Sequence, residues 1–266
     1  MADMVRTERR GAVLEITLDR PPANAIDATA SRQMGEVFAE FAADPSLRVA
    51  ILTGAGDKFF SAGWDLKAAA RAAAEGRSET ESDYGSGGFG GITEFVDLDK
   101  PVIAAVNGYC VAGGFEVALA CDLMVAADHA VFFLSEVNVG LIPAPIGIKR
   151  LIARLPRAVA LELLYTGRRM DATEALKHGL ANRVVPGDEV MDTAREIAQA
   201  IADAAPLAVA AVKEIALATE YLTVAETLAM RHDGRLPSFD RVYGSEDAKE
   251  GPRAFAEKRK PVWQGR

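Results

Sequence analysis

Leu14, Ile16 and Leu18 alternate with Glu15, Thr17 and Asp19, the period-two pattern of a strand with one buried face. Arg20-Pro21-Pro22 ends that strand. Asp27 or Ser31 then stands where a helix N-cap is needed, ahead of Met34, Val37, Phe38 and Phe41 on one helical face. Pro45 stops the helix, and Val49–Thr53 is a continuous apolar run, as in a strand covered on both sides. Val102–Val106 repeats that pattern between Pro101 and Asn107-Gly108, and an apolar helix is predicted from Phe115. Ala130–Leu134 reads as a further short strand. Pro143, Pro145 and Gly147 predict an irregular turn into a helix over 148–155, followed by a helix from Ala158 to Tyr165. Asp171 can cap a short helix closed by Gly179, and Val184-Val185 is a brief strand. Beyond Pro186 the pattern is almost wholly helical. Pro206 divides a mixed α/β part, 1–205, from a helical tail, 206–266, whose apolar faces have little core of their own and suit packing on another subunit or, equally, on the first part.

Two places in this pattern carry candidate chemistry. In KPVIAAVNGYCVAGGFEVALACD, 100–122, a buried strand gives way to Ala112-Gly113-Gly114 and then to a helix. Such a junction leaves backbone N–H groups without intrahelical acceptors and aims their partial positive charge outward. The same strand, loop, glycine, helix order occurs earlier at Ser61-Ala62-Gly63-Trp64-Asp65. Two such turns side by side could each give one N–H to a single developing oxyanion. Glu116 falls in the first turn of the second helix, where the helix dipole is expected to lower its pKa. Glu136 follows the apolar Val131–Leu134 and is expected to be raised by burial. Two acids pushed apart in this way divide into an acid and a base. Taken singly, Glu116 also reads as a capping residue and Glu136 as a solvated strand end.

Between these regions, GRSETESDYGSGGFGG (76–91) reads as a mobile loop near a site, with Tyr84 and Phe89 its notable residues. Its GxGxxG at Gly85, Gly87 and Gly90 follows no strand and opens no helix, so it carries no nucleotide-binding argument.

Composition narrows the field. With 266 residues, half of them hydrophobic, the chain can build a large core, and a net charge of −8 offers no footprint for nucleic acid or an anionic membrane surface. The apolar stretch 103–127 is interrupted by Asn107, Glu116, Asp122 and glycines, which argues against a membrane span. Cys110 and Cys121 lie in that apolar stretch and read as reduced core thiols. The opening MADMVRTERR has no apolar run of the secretory kind, so a cytoplasmic location is expected. His129, His178 and His232 have no metal-ligand spacing, and there is neither GxSxG nor a P-loop.

The segments SAGWDLK, KPVIAAVNGYCVAGGFEVALACD and LSEVNVGLIP resemble the enoyl-CoA hydratase/isomerase, or crotonase, family. LEITLDRPPANAID, TGRRM and the final EGPRAFAEKRKPVWQGR extend the likeness over essentially the whole chain. The resemblance implies an α/β fold, a crotonase-like spiral of repeated ββα units with a helical C-terminal oligomerisation tail, assembled as a homotrimer or dimer of trimers. It implies a hydro-lyase acting on an acyl-CoA thioester, interconverting carnitinyl-CoA with crotonobetainyl-CoA and water. The alternatives are a hydratase for another short enoyl-CoA and a non-catalytic acyl-CoA-binding oligomer. Coenzyme A would enter only as part of the substrate, with no permanently bound cofactor and no metal. By the same resemblance, the N–H groups of Trp64 and Gly113 form the oxyanion hole, Glu116 handles the water, and Glu136 handles the α-proton. Ala25, Ile26 and Ala62 would cradle coenzyme A, joined by Phe255 and Lys258 of a neighbouring subunit. Tyr84, Phe89, Pro145 and Ile146 would border the acyl group. Three positions depart from the family pattern. Ala112 replaces a common glycine, which a negative φ would make harmless; Ser135 replaces a common proline; and Ala144-Pro145-Ile146-Gly147 replaces Asp-Ser-Gly-Gly or Gly-Ala-Gly-Gly.

Overall fold

The computed structural model describes residues 4–76 and 83–266; residues 77–82 of the glycine-rich segment lie outside the described residues. Its architecture grows from one repeated step in which consecutive strands go to different sheets. β4 (Val49–Gly54) lies in a six-stranded sheet, and β5 (Phe59–Ser61) in a four-stranded one. β7 (Val102–Val106) and β8 (Tyr109–Val111) repeat the division and lead into α3 (Gly113–Ala120). β9 (Leu123–Ala127) and β10 (Val131–Phe133) repeat it again. This is the ββα spiral expected from the resemblance.

The large sheet is completed by β1 (Val5–Arg10), β2 (Val13–Leu18) and β12 (Arg183–Val185), in the order β1-β2-β4-β7-β9-β12. Only the β1–β2 pair is antiparallel. Every residue of β4 and β7 is buried, as their unbroken apolar runs require of central parallel strands. The second sheet runs β11-β10-β8-β5, with β11 (Met170–Asp171) the antiparallel edge. A third, two-stranded sheet pairs β3 (Ala25–Ile26) with β6 (Gly63–Trp64) in parallel. Strands of two or three residues leave no period in a sequence, so β3, β6 and β11 were not legible as strands.

Helix α1 (Ala28–Ala43) is capped by Asp27, whose side chain accepts the Ala30 N–H, while Ser31 is buried inside the helix. α1 packs against a 3-10 turn, Phe89–Gly91, and this corrects the mobile-loop expectation for the described residues from 83 onward. Gly91, at φ +69°, lies so close to Gly35 of α1 that no side chain fits between them, and the Gly90 N–H donates to the Ser31 hydroxyl at 3.0 Å. The glycines here serve close packing. A short helix, α2 (Leu66–Ala74), follows β6.

After β10 come a 3-10 turn (Glu136–Val139), α4 (Pro145–Arg154), α5 (Arg157–Thr166) and α6 (Ala172–Lys177). α4 begins at Pro145, three residues before the expected start, because proline at N1 lacks only an N–H that the helix would leave unpaired. α7 (Val190–Ala202) packs on the large sheet. α8 (Pro206–Thr219), α9 (Val224–His232), α10 (Pro237–Tyr243) and α11 (Glu246–Ala256) complete the chain. Lys213 of α8 donates to Asp122 at 2.8 Å and to the Lys100 carbonyl at 2.9 Å, fixing the tail to the ends of the central unit. Cys110 and Cys121 are free and buried. Among the described residues no helix is long and apolar enough to cross a membrane.

Candidate active site

The two glycine turns meet at the start of α3. Gly63 has φ +78°, and a Cβ built on it would lie 2.7 Å from the Gly113 nitrogen, so glycine is required there by both conformation and space. The Ser61 hydroxyl holds the turn, accepting the Gly63 N–H at 3.0 Å and donating to the Asn24 carbonyl at 2.7 Å. Arg20 clamps its other side, donating to the Ala25 carbonyl at 2.8 Å, to Asp27 at 2.8 Å and to Asp65 at 2.7 Å. Ala25 and Ile26 of β3 pair with Gly63 and Trp64 of β6, and the Ala62 N–H donates to the Ala23 carbonyl at 2.9 Å. Ala25, Ile26, Ala62, Trp64 and Gly113 are therefore drawn into one region.

Gly113 is the first residue of α3, so its N–H has no intrahelical acceptor. The preceding Ala112 adopts φ +50°, ψ −126°, contrary to the negative φ that would make alanine harmless. Alanine in this glycine-favoured region stores strain of order 1–3 kcal/mol. The neighbouring hydrogen bonds hold it there: Ala112 donates its N–H to the Phe133 carbonyl at 2.9 Å, and its own carbonyl accepts from Phe115 at 2.8 Å and Glu116 at 3.1 Å. Phe89 lies directly over Gly113, where an added Cβ would come within 2.6 Å of its ring. Tyr84 meets Phe89 edge to face, with ring centroids 5.6 Å apart. The indole Nε1–H of Trp64 is buried with no acceptor among the described residues.

Glu116 is 8% exposed in the first turn of α3. Burial pushes its carboxyl up to about 7, and the Glu136 charge adds to the rise; the Ala144 N–H and Arg150 oppose it. The expected lowering by the α3 dipole is thus reversed. A helix terminus contributes about 0.3–2 kcal/mol, whereas desolvation of a buried carboxyl is worth several pKa units. Glu136 is also raised by burial, and its Oε2 is buried without a partner among the described residues. Both acids are shifted upward, so their environments do not push their pKa values apart as expected.

The Ala144–Gly147 departure lies against this acid. Ala144 caps α4 and donates its N–H to Glu116 Oε1 at 2.8 Å. Gly147, in the first turn of α4, faces the same carboxyl so closely that a Cβ would overlap Oε1. Pro145 is exposed and Ile146 partly buried in that turn. Arg150 donates to the Thr93 carbonyl at 2.8 Å. Ser135 stands before Glu136 at the 3-10 turn and makes no side-chain cap. Phe255 and Lys258 are elsewhere. Phe255 is 86% exposed on α11, which packs against α10, and Lys258 follows that helix at φ +53°.

Arg20, Asn24 and Arg150 were not singled out from the sequence for this site; Ser61 was named only within the first glycine turn, and Ala144 and Gly147 only as ends of the departure from the family pattern, without their contact to Glu116. The glycine in the first turn of an otherwise ordinary helix was the one readable sign, because glycine there costs about 1 kcal/mol without a reason to be present.

The model of the enoyl-CoA hydratase/isomerase family matches residues 8–266. The chain belongs to that family. Within the enoyl-CoA hydratase/isomerase family it is 57% identical over 266 residues to the carnitinyl-CoA dehydratase of Proteus mirabilis, covering 100% of both chains. Its fold matches the crystal structure of an enoyl-CoA hydratase from Mycobacterium tuberculosis at TM-score 0.89, with 39% identity and 99% of each chain covered. It matches a carnitinyl-CoA hydratase from Mycobacterium avium at TM-score 0.75, with 41% identity over 100% of each chain.

Proposed function

We propose that this chain is a hydro-lyase interconverting carnitinyl-CoA with crotonobetainyl-CoA and water. The observation that carries the chemistry is the pair of raised carboxyls, Glu116 and Glu136, beside the start of α3. Relatives named for carnitinyl-CoA support the acyl group.

In dehydration, an ionised Glu136 removes the α-proton while the electron pair passes into the thioester. The oxygen of that thioester takes the negative charge and is held by the N–H groups of Trp64 and Gly113, donors whose orientation is fixed beforehand. A protonated Glu116 gives its proton to the β-hydroxyl as the C–O bond breaks, and water leaves. One proton has moved onto Glu136 and one off Glu116, so exchange with solvent restores the pair. Hydration runs the same steps in reverse, with Glu116 as the base. A carboxyl titrating at about 7 supplies both forms near neutrality.

Ala25, Ile26 and Ala62 would cradle coenzyme A in this reading. The exposed Phe255 and Lys258 of α11 would reach the coenzyme A nucleotide of a neighbouring subunit. Exposed apolar residues along the tail, among them Val212, Leu217, Val224 and Leu228, support a homotrimer or dimer of trimers.

The trimethylammonium of the substrate donates no hydrogen bond, so aromatic faces or a carboxylate must recognise it, an aromatic face by about 0.5–2 kcal/mol. Tyr84 and Phe89, paired above Gly113, are placed to do so, with Pro145 and Ile146 bordering the same acyl group. The test compares crotonobetainyl-CoA with crotonyl-CoA in wild type, Tyr84→Leu and Phe89→Leu. Wild type should prefer the charged thioester, and the variants should lose efficiency on it while changing little on crotonyl-CoA. A wild-type preference for crotonyl-CoA would replace this reading with a hydratase for another short enoyl-CoA.

A further inference from the structure

Arg150 takes no part in the mechanism above, yet it joins the two sides of the site. It lies three residues beyond Gly147 on α4, and residues at that spacing share a helix face. Gly147 packs on the Glu116 carboxyl, so this is the α4 face turned toward α3. From there the Arg150 guanidinium donates to the Thr93 carbonyl at 2.8 Å. Thr93 is itself anchored to the Phe89 turn, its hydroxyl donating to the Phe89 carbonyl at 2.9 Å. The chain of contacts thus runs from the helix end that holds Glu116 to the ring that covers Gly113. Among the described residues no carboxylate forms a direct ion pair with Arg150, although Glu116 and Asp122 act on its charge at longer range.

We propose that Arg150 is a positioning residue for this reaction, tying the Phe89 turn to the α4 end that grips Glu116 and supplying the positive charge that favours the ionised Glu116 carboxyl. This rests on Glu116 being the group that handles the water. The charged and titratable groups acting on Glu116 are Glu136 and Arg150, together with the Ala144 N–H; those acting on Arg150 are Arg154, Cys121, Glu116 and Asp122. Arg154 lies one turn further along α4 and donates instead to the Cys121 carbonyl at the end of α3. It therefore serves as a control of like charge at a different place.

The experiment uses Arg150→Gln, which loses the charge but keeps an N–H donor for Thr93, with Arg150→Met as a second uncharged variant. Arg150→Lys and Arg154→Met are the controls. The first readout is the pH dependence of kcat/KM for hydration of crotonobetainyl-CoA and crotonyl-CoA. The acid limb should move alkaline by about half a unit or more in the uncharged variants and stay in place in Arg150→Lys and Arg154→Met. The second readout needs no substrate. Glu116 titrates higher folded than its ordinary 4.5, so the folded chain holds the extra proton, and stability is lost as pH rises from about 4.5 to about 7. Glu116→Gln should remove this loss, and in Arg150→Gln the loss should extend to higher pH. If neither thioester turns over, the proposed activity fails, while the stability profile still decides the role of Arg150. Folded uncharged variants with unmoved acid limb and stability profile would overturn the proposal, as would an equal shift in Arg154→Met.

Discussion

Glu116 is buried and Glu136 half-buried, and burial raises both pKa values, but the two regions hold these acids in opposite ways. Glu116 is locked. It lies in the first turn of α3, its Oε1 accepts the Ala144 N–H, and Gly147 closes over the carboxyl with no room to spare. Glu136 stands in a 3-10 turn among exposed residues, and its buried Oε2 has no partner among the described residues. A buried acceptor without a donor is costly unless something completes it. The difference teaches where substrate is needed: Glu116 Oε1 is held by the protein itself, whereas Glu136 Oε2 is left for substrate to complete.

The largest effects should come from the acids themselves. Glu116→Gln and Glu136→Gln should each lower turnover by about 10²–10⁴-fold, with the double variant far from multiplicatively worse because the groups act as a unit. Steady-state rates with both thioesters check this, and near-normal turnover in a folded single variant would remove that residue from the chemistry.

Next comes the lock. Gly147→Ala places a methyl group against Oε1, and the carboxyl must move off the Ala144 N–H. Misplacing a catalytic group by about 1 Å can cost roughly 10²-fold in rate. That loss in kcat is expected here with the fold intact, as judged by circular dichroism. Ser135→Ala, next to Glu136, removes no hydrogen bond that caps the turn and should leave kcat within about twofold. Equal effects from the two substitutions would erase the contrast between the regions.

The smallest effect concerns strain on the locked side. Ala112→Gly relieves about 1–3 kcal/mol of backbone strain but gives the unfolded chain about 0.4–1 kcal/mol of extra freedom. The balance is a gain of about 1 kcal/mol, or a Tm higher by about 2 °C. An unchanged or lower Tm would show that the turn carries no strain.

How much of this was legible depended on whether neighbours in sequence were enough. The strand, glycine and helix order at 102–120 was readable because each part is local, and so were the two acids and both glycine turns. The sign of the Glu116 shift was not, because it comes first from burial by elements remote in sequence and then from Glu136, against the opposing Ala144 N–H and Arg150 of α4. Gly85–Gly91 read as a loop because nothing local records that α1 lies against it. Ala112 read as benign because alanine carries no mark of positive φ, which the surrounding hydrogen bonds impose. The start of α4 was missed because Pro143 and Pro145 look alike in sequence, yet only Pro145 stands at N1.

The division of labour between the two acids is tested most directly by α-proton exchange on butyryl-CoA in D₂O, since that thioester has no β-hydroxyl to lose. The exchange isolates the step assigned to Glu136 from the one assigned to Glu116. Glu116→Gln should keep most of the wild-type exchange rate, and Glu136→Gln should lose it by about 10²-fold or more. Exchange that survives in Glu136→Gln and disappears in Glu116→Gln would contradict the assignment.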